Sequence, residues 1–220
     1  MQKEKIKTAL IVVDLQREFI DGKLMIPYSS NIVNKVNKIQ NKFDIVCFVK
    51  NVFPEKEKVL DKVTISDSGN YCIEKTNGVD FHQDLKINDN VFIRNYDENF
   101  SVMNSKMGDI SLLDFLDKNG ITHVFLSGVP GDYSVKYSAM QLIGRFKTYV
   151  LVDMIKTIGK MDNFIRYLVI RKIPFINSDD LNIVLRGLLY DKYEKQEKMS
   201  WSTTGKEIRF KSPSKWEIKF

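Results

Sequence analysis

The sequence predicts an α/β protein, a three-layer α/β/α sandwich around a mostly parallel, six-stranded sheet. Three observations carry that expectation. Short apolar runs alternate with stretches whose apolar residues recur at helical spacing. The most sharply punctuated stretch, Phe125–Met140 (FLSGVPGDYSVKYSAM), reads as buried strand, tight turn and helix. At 220 residues and 43% hydrophobic content the chain can bury one substantial core and is short for two. One domain over residues 1–190 and a tail over residues 191–220 are therefore expected.

Thr8–Val13 is a continuous apolar strand with Asp14 at its carboxyl end, the edge where open parallel sheets hold ligands. Asp14 reads equally as a site acid and as a cap of the following turn. Ser29 or Ser30 is placed to cap a helix whose stripe is Ile32/Val33, Val36, Ile39 and Phe43, and Asp44–Val49 is the second strand. Residues 50–90 read as a long loop region with short irregular pieces, the kind that covers a site. Val91–Ile93 is a third strand ending at Arg94, and Asp109–Lys118 a helix with Ile110, Leu113 and Leu116 inward, stopped by Gly120. After the run Val124–Leu126, Asp132 is placed to cap a helix burying Val135, Ala139, Leu142 and Ile143. Tyr133 and Ser134 then fall in its first turn, where free N–H groups favour an anion. Lys147–Val152 and Pro174–Ile176 are the last strands. Gly159–Arg171 is a helix with Met161, Ile165, Leu168 and Val169 inward, and Asp180–Leu189 a final helix burying Leu181, Val184/Leu185 and Leu188.

The formal charge of +6 comes from 34 Lys+Arg interspersed with 28 Asp+Glu, which favours a solvated basic surface over a nucleic-acid groove. Cys47 and Cys72 show no paired spacing, which argues for a reducing, cytoplasmic setting and against a disulfide framework. The first apolar run ends at an aspartate with no cleavage-site pattern, and no run approaches the ~18 apolar residues of a membrane span. The tail holds both tryptophans, Trp201 and Trp216, with Phe210, Phe220 and several lysines. It is too aromatic for a typical disordered segment, so these four rings are candidate anchors for a protein partner or a second copy, or for the chain's own domain.

With Asp14, Arg94 and Ser134 each at the end of a different strand, the chain resembles the isochorismatase-like hydrolases, most closely the nicotinamidases. The resemblance spans roughly Lys7 to Asn177. ALIVVDLQREFIDGKLMIP is similar to the family's opening segment, which carries its catalytic aspartate at Asp14. YCIEKTNGVDFHQDL is similar to HCV-x-G-T-x-G-x-x-FH, and GVPGDYSVKYSAMQ to G-x-x-T-D-x-C-V-x-x-T-A-x-D. The resemblance implies a cis peptide at Val129-Pro130, oligomeric relatives, and a pocket drawn from Phe19, Asn51, Phe53, Tyr71, Val129, Pro130 and Tyr133. It also implies amide hydrolysis through a cysteine thioester, with an aspartate base, a lysine, and a metal held by Asp and His residues.

At those positions this chain departs. Serine (Ser134) stands for the cysteine and Arg94 for the lysine. The metal pattern D-x-H-P-x-x-H falls on Asn51, Phe53, Pro54 and Glu57, and its later histidine on Tyr71. Thiols ionise near pKa ~8.5 and a serine hydroxyl lies well above that, so Asp14 is poorly matched to it as a base. Arginine keeps the charge and releases no proton. Asn51, Glu57 and Tyr71 are a poor donor set for zinc or iron, so no metal or cofactor is expected. His82 and His123 read as structural. The expectation is a catalytically degenerate relative acting as a scaffold or binding subunit. The alternatives are a cysteine-independent, isochorismatase-like hydrolase using Asp14 and Arg94 on a small carboxylated substrate, and a weak serine amidase using Ser134.

Overall fold

A computed structural model describes residues 6–54, 71–95 and 101–187. Its first strand, β1 (Thr8–Val13), is buried along its whole length, as a fully covered parallel strand must be. A short helix α1 (Arg17–Ile20) and α2 (Ser30–Ile39) lead to β2 (Ile45–Val52), and a long connection leads to β3 (Val91–Asn95). Two-residue strands β4 (Lys106–Met107) and β5 (Ile110–Ser111) precede α3 (Leu112–Lys118) and β6 (His123–Gly128). A π-helical turn, Gly131–Val135, opens α4 (Lys136–Leu142). Then come β7 (Lys147–Ile155), α5 (Met161–Ile170), β8 (Phe175–Ile176) and a helical segment, α6, over residues 181–187.

The strands form one sheet in the order β5-β4-β3-β2-β1-β6-β7-β8. The six from β3 to β8 in that order run parallel, as the sequence predicts, while β4 and β5 add a small antiparallel edge. These two strands have two residues each, too short to leave a period of two in the sequence. The chain winds outward from β1 through β2 and β3, then restarts on the other side of β1 with β6. The carboxyl ends of β1 and β6 therefore frame the point at which winding reverses, where such sheets bind ligands.

Alternation along β1 divides the core. Ala9, Ile11 and Val13 pack with Val124, Leu126, Leu112, Leu116, Val135, Ala139, Leu142, Phe164 and Leu168. Leu10 and Val12 face the other layer, with Ile32, Val33, Val36, Phe43, Phe125 and Leu181. Full burial of each Val, Leu, Ile or Phe side chain among them contributes about 1.5–3 kcal/mol. Lys35 on α2 reaches Asp153 at 2.5 Å, and Ser178 donates to the same carboxylate through its backbone N (2.7 Å) and Oγ (2.6 Å), tying the layer to β7.

Several local expectations are corrected. Ile110 lies in β5, so α3 starts at Leu112 and buries Leu112 and Leu116. In α5 the buried residues are Phe164 and Leu168, and Val169 is half exposed. Ile143 is likewise 37% exposed. Ser29 does not cap α2; its Oγ donates to the Phe19 carbonyl at 3.1 Å. Gly120 does take the left-handed conformation (φ 64°) expected beyond a helix end. Leu188, the tail anchors and the boundary at residue 190 lie outside the described residues. No helix among the described residues is long and apolar enough to cross a membrane.

Candidate functional site

Asp14 follows the last residue of β1 and sits in the left-handed region at φ 53°, with its N–H donated to the Val49 carbonyl at 2.9 Å. An aspartate tolerates this conformation better than most residues, and the bend turns its side chain off the strand. Arg94 belongs to β3 and registers with Asn51 of β2. Ser134 lies in the π-helical turn after β6, an irregularity often found at functional sites. The three family positions therefore converge, and all are buried: Asp14 0%, Arg94 2% and Ser134 2% exposed.

Arg94 is the hub. One terminal nitrogen (NH2) donates to Asp14 Oδ2 at 2.6 Å and to Ser134 Oγ at 3.0 Å, while Nε donates to Asn51 Oδ1 at 2.6 Å. Asn51 Nδ2 in turn donates to Asp14 Oδ2 at 3.0 Å. Burial pushes the Asp14 carboxyl above its ordinary range, against the pull of Arg94, Ser134 and Asn51 in the other direction. Its second oxygen, Oδ1, is buried without a hydrogen-bond partner.

Gln16 and Ser138 complete the frame, and neither stood out in the sequence. Gln16 is fully buried, accepts from the Asn51 N–H (2.8 Å) and donates to the carbonyls of Asn51 (2.8 Å) and Val79 (2.9 Å). Its place two residues after Asp14, at the end of a buried strand, was the available signal. Ser138 Oγ donates to the Ser134 carbonyl at 2.6 Å and accepts from Val102 N–H at 3.1 Å.

Beside the network stands a run of rings. Phe53 continues β2 and bridges Ile73, which brings Tyr71 against it at 4.7 Å between centroids, and Phe19 meets Tyr71 at 5.7 Å. Burial, followed by the Asp14 charge, pushes the Tyr71 phenol up. Val129 and Pro130 are buried and joined by a cis peptide bond, as expected. Tyr133 lies on the solvent side of the turn, 38% exposed. Asp132 does not cap the helix. Its Oδ1 and Oδ2 accept from the N–H groups of Ile158 (3.1 Å) and Gly159 (2.7 Å), latching the loop after β7 onto the turn that carries Ser134. Asp132→Ala should lower stability by about 1 kcal/mol and speed amide exchange at Ile158 and Gly159, read by hydrogen-exchange mass spectrometry.

The residues at the family's metal positions do not fit a metal. Asn51 is engaged on both sides by Asp14 and Arg94, Phe53 offers no donor, and the Tyr71 phenol is held in its neutral form. Glu57 lies outside the described residues. Among the described residues no group of three or more His, Cys, Asp or Glu side chains is arranged to hold an ion. Cys72 follows Tyr71 in the chain. It is fully buried, and burial, then Asp14 and Glu18, push its pKa up. His82 and His123 stay outside the network. His82 N–H donates to the Leu15 carbonyl, and the His123 ring is buried at the start of β6.

Comparison with known proteins matches residues 8–165 to the model of a family described as the isochorismatase domain. A nicotinamidase of Schizosaccharomyces pombe is 27% identical over 180 residues, 67% of this chain and 82% of that protein. Among solved structures, a nicotinamidase/pyrazinamidase of Acinetobacter baumanii superposes with a TM-score of 0.67 at 23% identity, over 81% of this chain and all of that one. A zinc-bound pyrazinamidase of Pyrococcus horikoshii gives 0.63 at 24% identity, over 78% of this chain and 99% of that one.

Proposed function

We propose, from the premise that this chain belongs to the isochorismatase domain family, that it is a catalytically degenerate, nicotinamidase-like member serving as a binding or scaffold subunit. One observation carries the reading: a single guanidinium occupies the centre of the site and engages Asp14, Asn51 and Ser134 together. One oxygen of the carboxylate that would accept a nucleophile's proton is already paired with a permanent cation at 2.6 Å. The hydroxyl at 134 would need a base far stronger than a carboxylate to be activated. Arg94 can return no proton to a leaving group. The fold, the aspartate and a positive charge beside it are kept, while the lysine, the thioester-forming cysteine and the metal ligands are replaced.

A binding role is supported by what the network leaves open. Asp14 Oδ1 has no donor, and the Phe19, Tyr71 and Phe53 rings stand close by, a combination suited to a small flat molecule carrying a donor group. The larger assembly would be reached through residues 191–220, with Trp201, Phe210, Trp216 and Phe220 as anchors on a protein partner or second copy. Full-length protein assayed with nicotinamide and pyrazinamide should release no ammonia above the level of an Asp14→Ala variant. Turnover that disappears in that variant would overturn the reading.

A second reading draws on the raised pKa of Asp14, which suits a proton donor. As a cysteine-independent hydrolase the protein would protonate a vinyl ether from Asp14, with Arg94 near the substrate carboxylate. Existing bonds from Arg94 to three side chains weigh against that second task. A flat screen of isochorismate-type substrates would remove it.

A further inference from the structure

We infer that the depression at the amino edge of the sheet, beside Arg145, Lys147 and Lys172, is a binding site for small phosphate-bearing anions. The cavity has a volume of about 380 Å³ and is bounded by the start of β7 (Lys147, Thr148, Tyr149), by Arg145 before it, and by Lys172 and Pro174 ahead of β8. No acidic residue lines it. Arg145 is held in place by Asp117, which accepts from its Nε at 3.0 Å and from a terminal nitrogen at 2.6 Å. Lys147 and Lys172 form no ion pair with an acid among the described residues. Two ammonium groups without an acidic partner among the described residues and one anchored guanidinium thus share a concave surface, and Tyr149 adds an aromatic side. The Lys147 charge is felt next door. Burial and, after it, Lys147 hold the His123 ring down at about 4, so that ring is neutral near pH 7 and adds no charge of its own.

A phosphate ester or polyphosphate matches this chemistry, with several charged oxygens for divergent cations and a size suited to the volume. The depression does not rest on the reading of the catalytic positions. Along β6 and β7 it lies five register steps from Gly128, roughly 17 Å at ~3.3 Å per residue, on the opposite edge of the sheet from Asp14.

The test is calorimetric titration of the full chain with sodium tripolyphosphate and with ATP, metal-free, at low and high salt. Both should bind in the sub-millimolar range and weaken as salt rises. The pair K147E/K172E should weaken binding at least tenfold. The pair K23E/K38E, which removes the same net charge at exposed positions elsewhere, should change it less than twofold. If the reversed pair fails to fold, K147Q/K172Q should still weaken binding threefold or more. Absence of binding by tripolyphosphate, or equal loss in the K23E/K38E control, would overturn the site. Tighter binding of ATP than of tripolyphosphate supports it and adds a role for the Tyr149 ring.

Discussion

Arg94→Leu is expected to destabilise the protein by about 3–5 kcal/mol at neutral pH, the usual cost of removing one partner from a buried ion pair. The mechanism is specific. Asp14 is fully buried and Arg94 is paired with it at 2.6 Å, so the variant leaves a carboxylate in a site that burial already makes unfavourable for charge. Asn51 and Ser134 lose a donor in the same step. The pH dependence gives the prediction a second readout. Burial already raises the Asp14 pKa in the folded state, and without Arg94 it rises further. A group raised in this way adds stability that is fully present below its unfolded value, about 3.9, and is lost as pH rises through the folded value. The deficit of the variant, measured by urea unfolding, should therefore be smallest near about pH 4 and largest near about pH 7.5. A deficit independent of pH would mean that lost packing, rather than a stranded charge, dominates.

Gly128→Ala should cost more than about 3 kcal/mol or prevent folding, for two reasons that act together. Gly128 sits at φ 131°, a conformation side chains rarely adopt, and an added Cβ would run into the backbone carbonyl of Val13. That carbonyl also accepts from the Val129 N–H at 3.0 Å. Neither β1 nor β6 can move aside, because both are central strands buried along their length. The close approach brings the carboxyl ends of the two strands together, so Asp14 and the turn bearing Ser134 can meet. Urea unfolding of the variant to within 1 kcal/mol of the natural protein would show that the approach is less constrained than described.

Much of this was legible in the sequence because the parallel strands are buried on both faces and so read as unbroken apolar runs. Thr8–Val13 is recovered without error for that reason, and the stripe of α2 is recovered from Ile32 to Ile39, while Phe43, expected on the same helix, is buried beyond its end in extended backbone. The convergence of Asp14, Arg94 and Ser134 followed from their places at strand ends and from the family resemblance. Other features left no such trace. Ile110 and Leu113 continue an apparent helical stripe, yet Ile110 is taken by β5 pairing that no short window reveals. Val169 sits where the stripe of α5 predicts burial, but Phe164 and Leu168 set the facing direction. Asp132 has the residue type and position of a cap, and a loop 26 residues away claims its carboxylate instead. Gln16 reads as an ordinary polar residue until the fold wraps it around Asn51.

The sharing of Arg94 among three side chains has a consequence for how substitutions combine. Changes at positions 14, 51, 94 and 134 perturb one charge-balanced unit, so their energies will not sum, and double-mutant cycles among them should give coupling terms well above the scatter of distant pairs. A single swap toward a family residue, such as Arg94→Lys, would trade a planar fork for a point donor and unsettle neighbours chosen to suit arginine. Substitutions toward the family residues at these positions would accordingly have to be made together for their effects to be read.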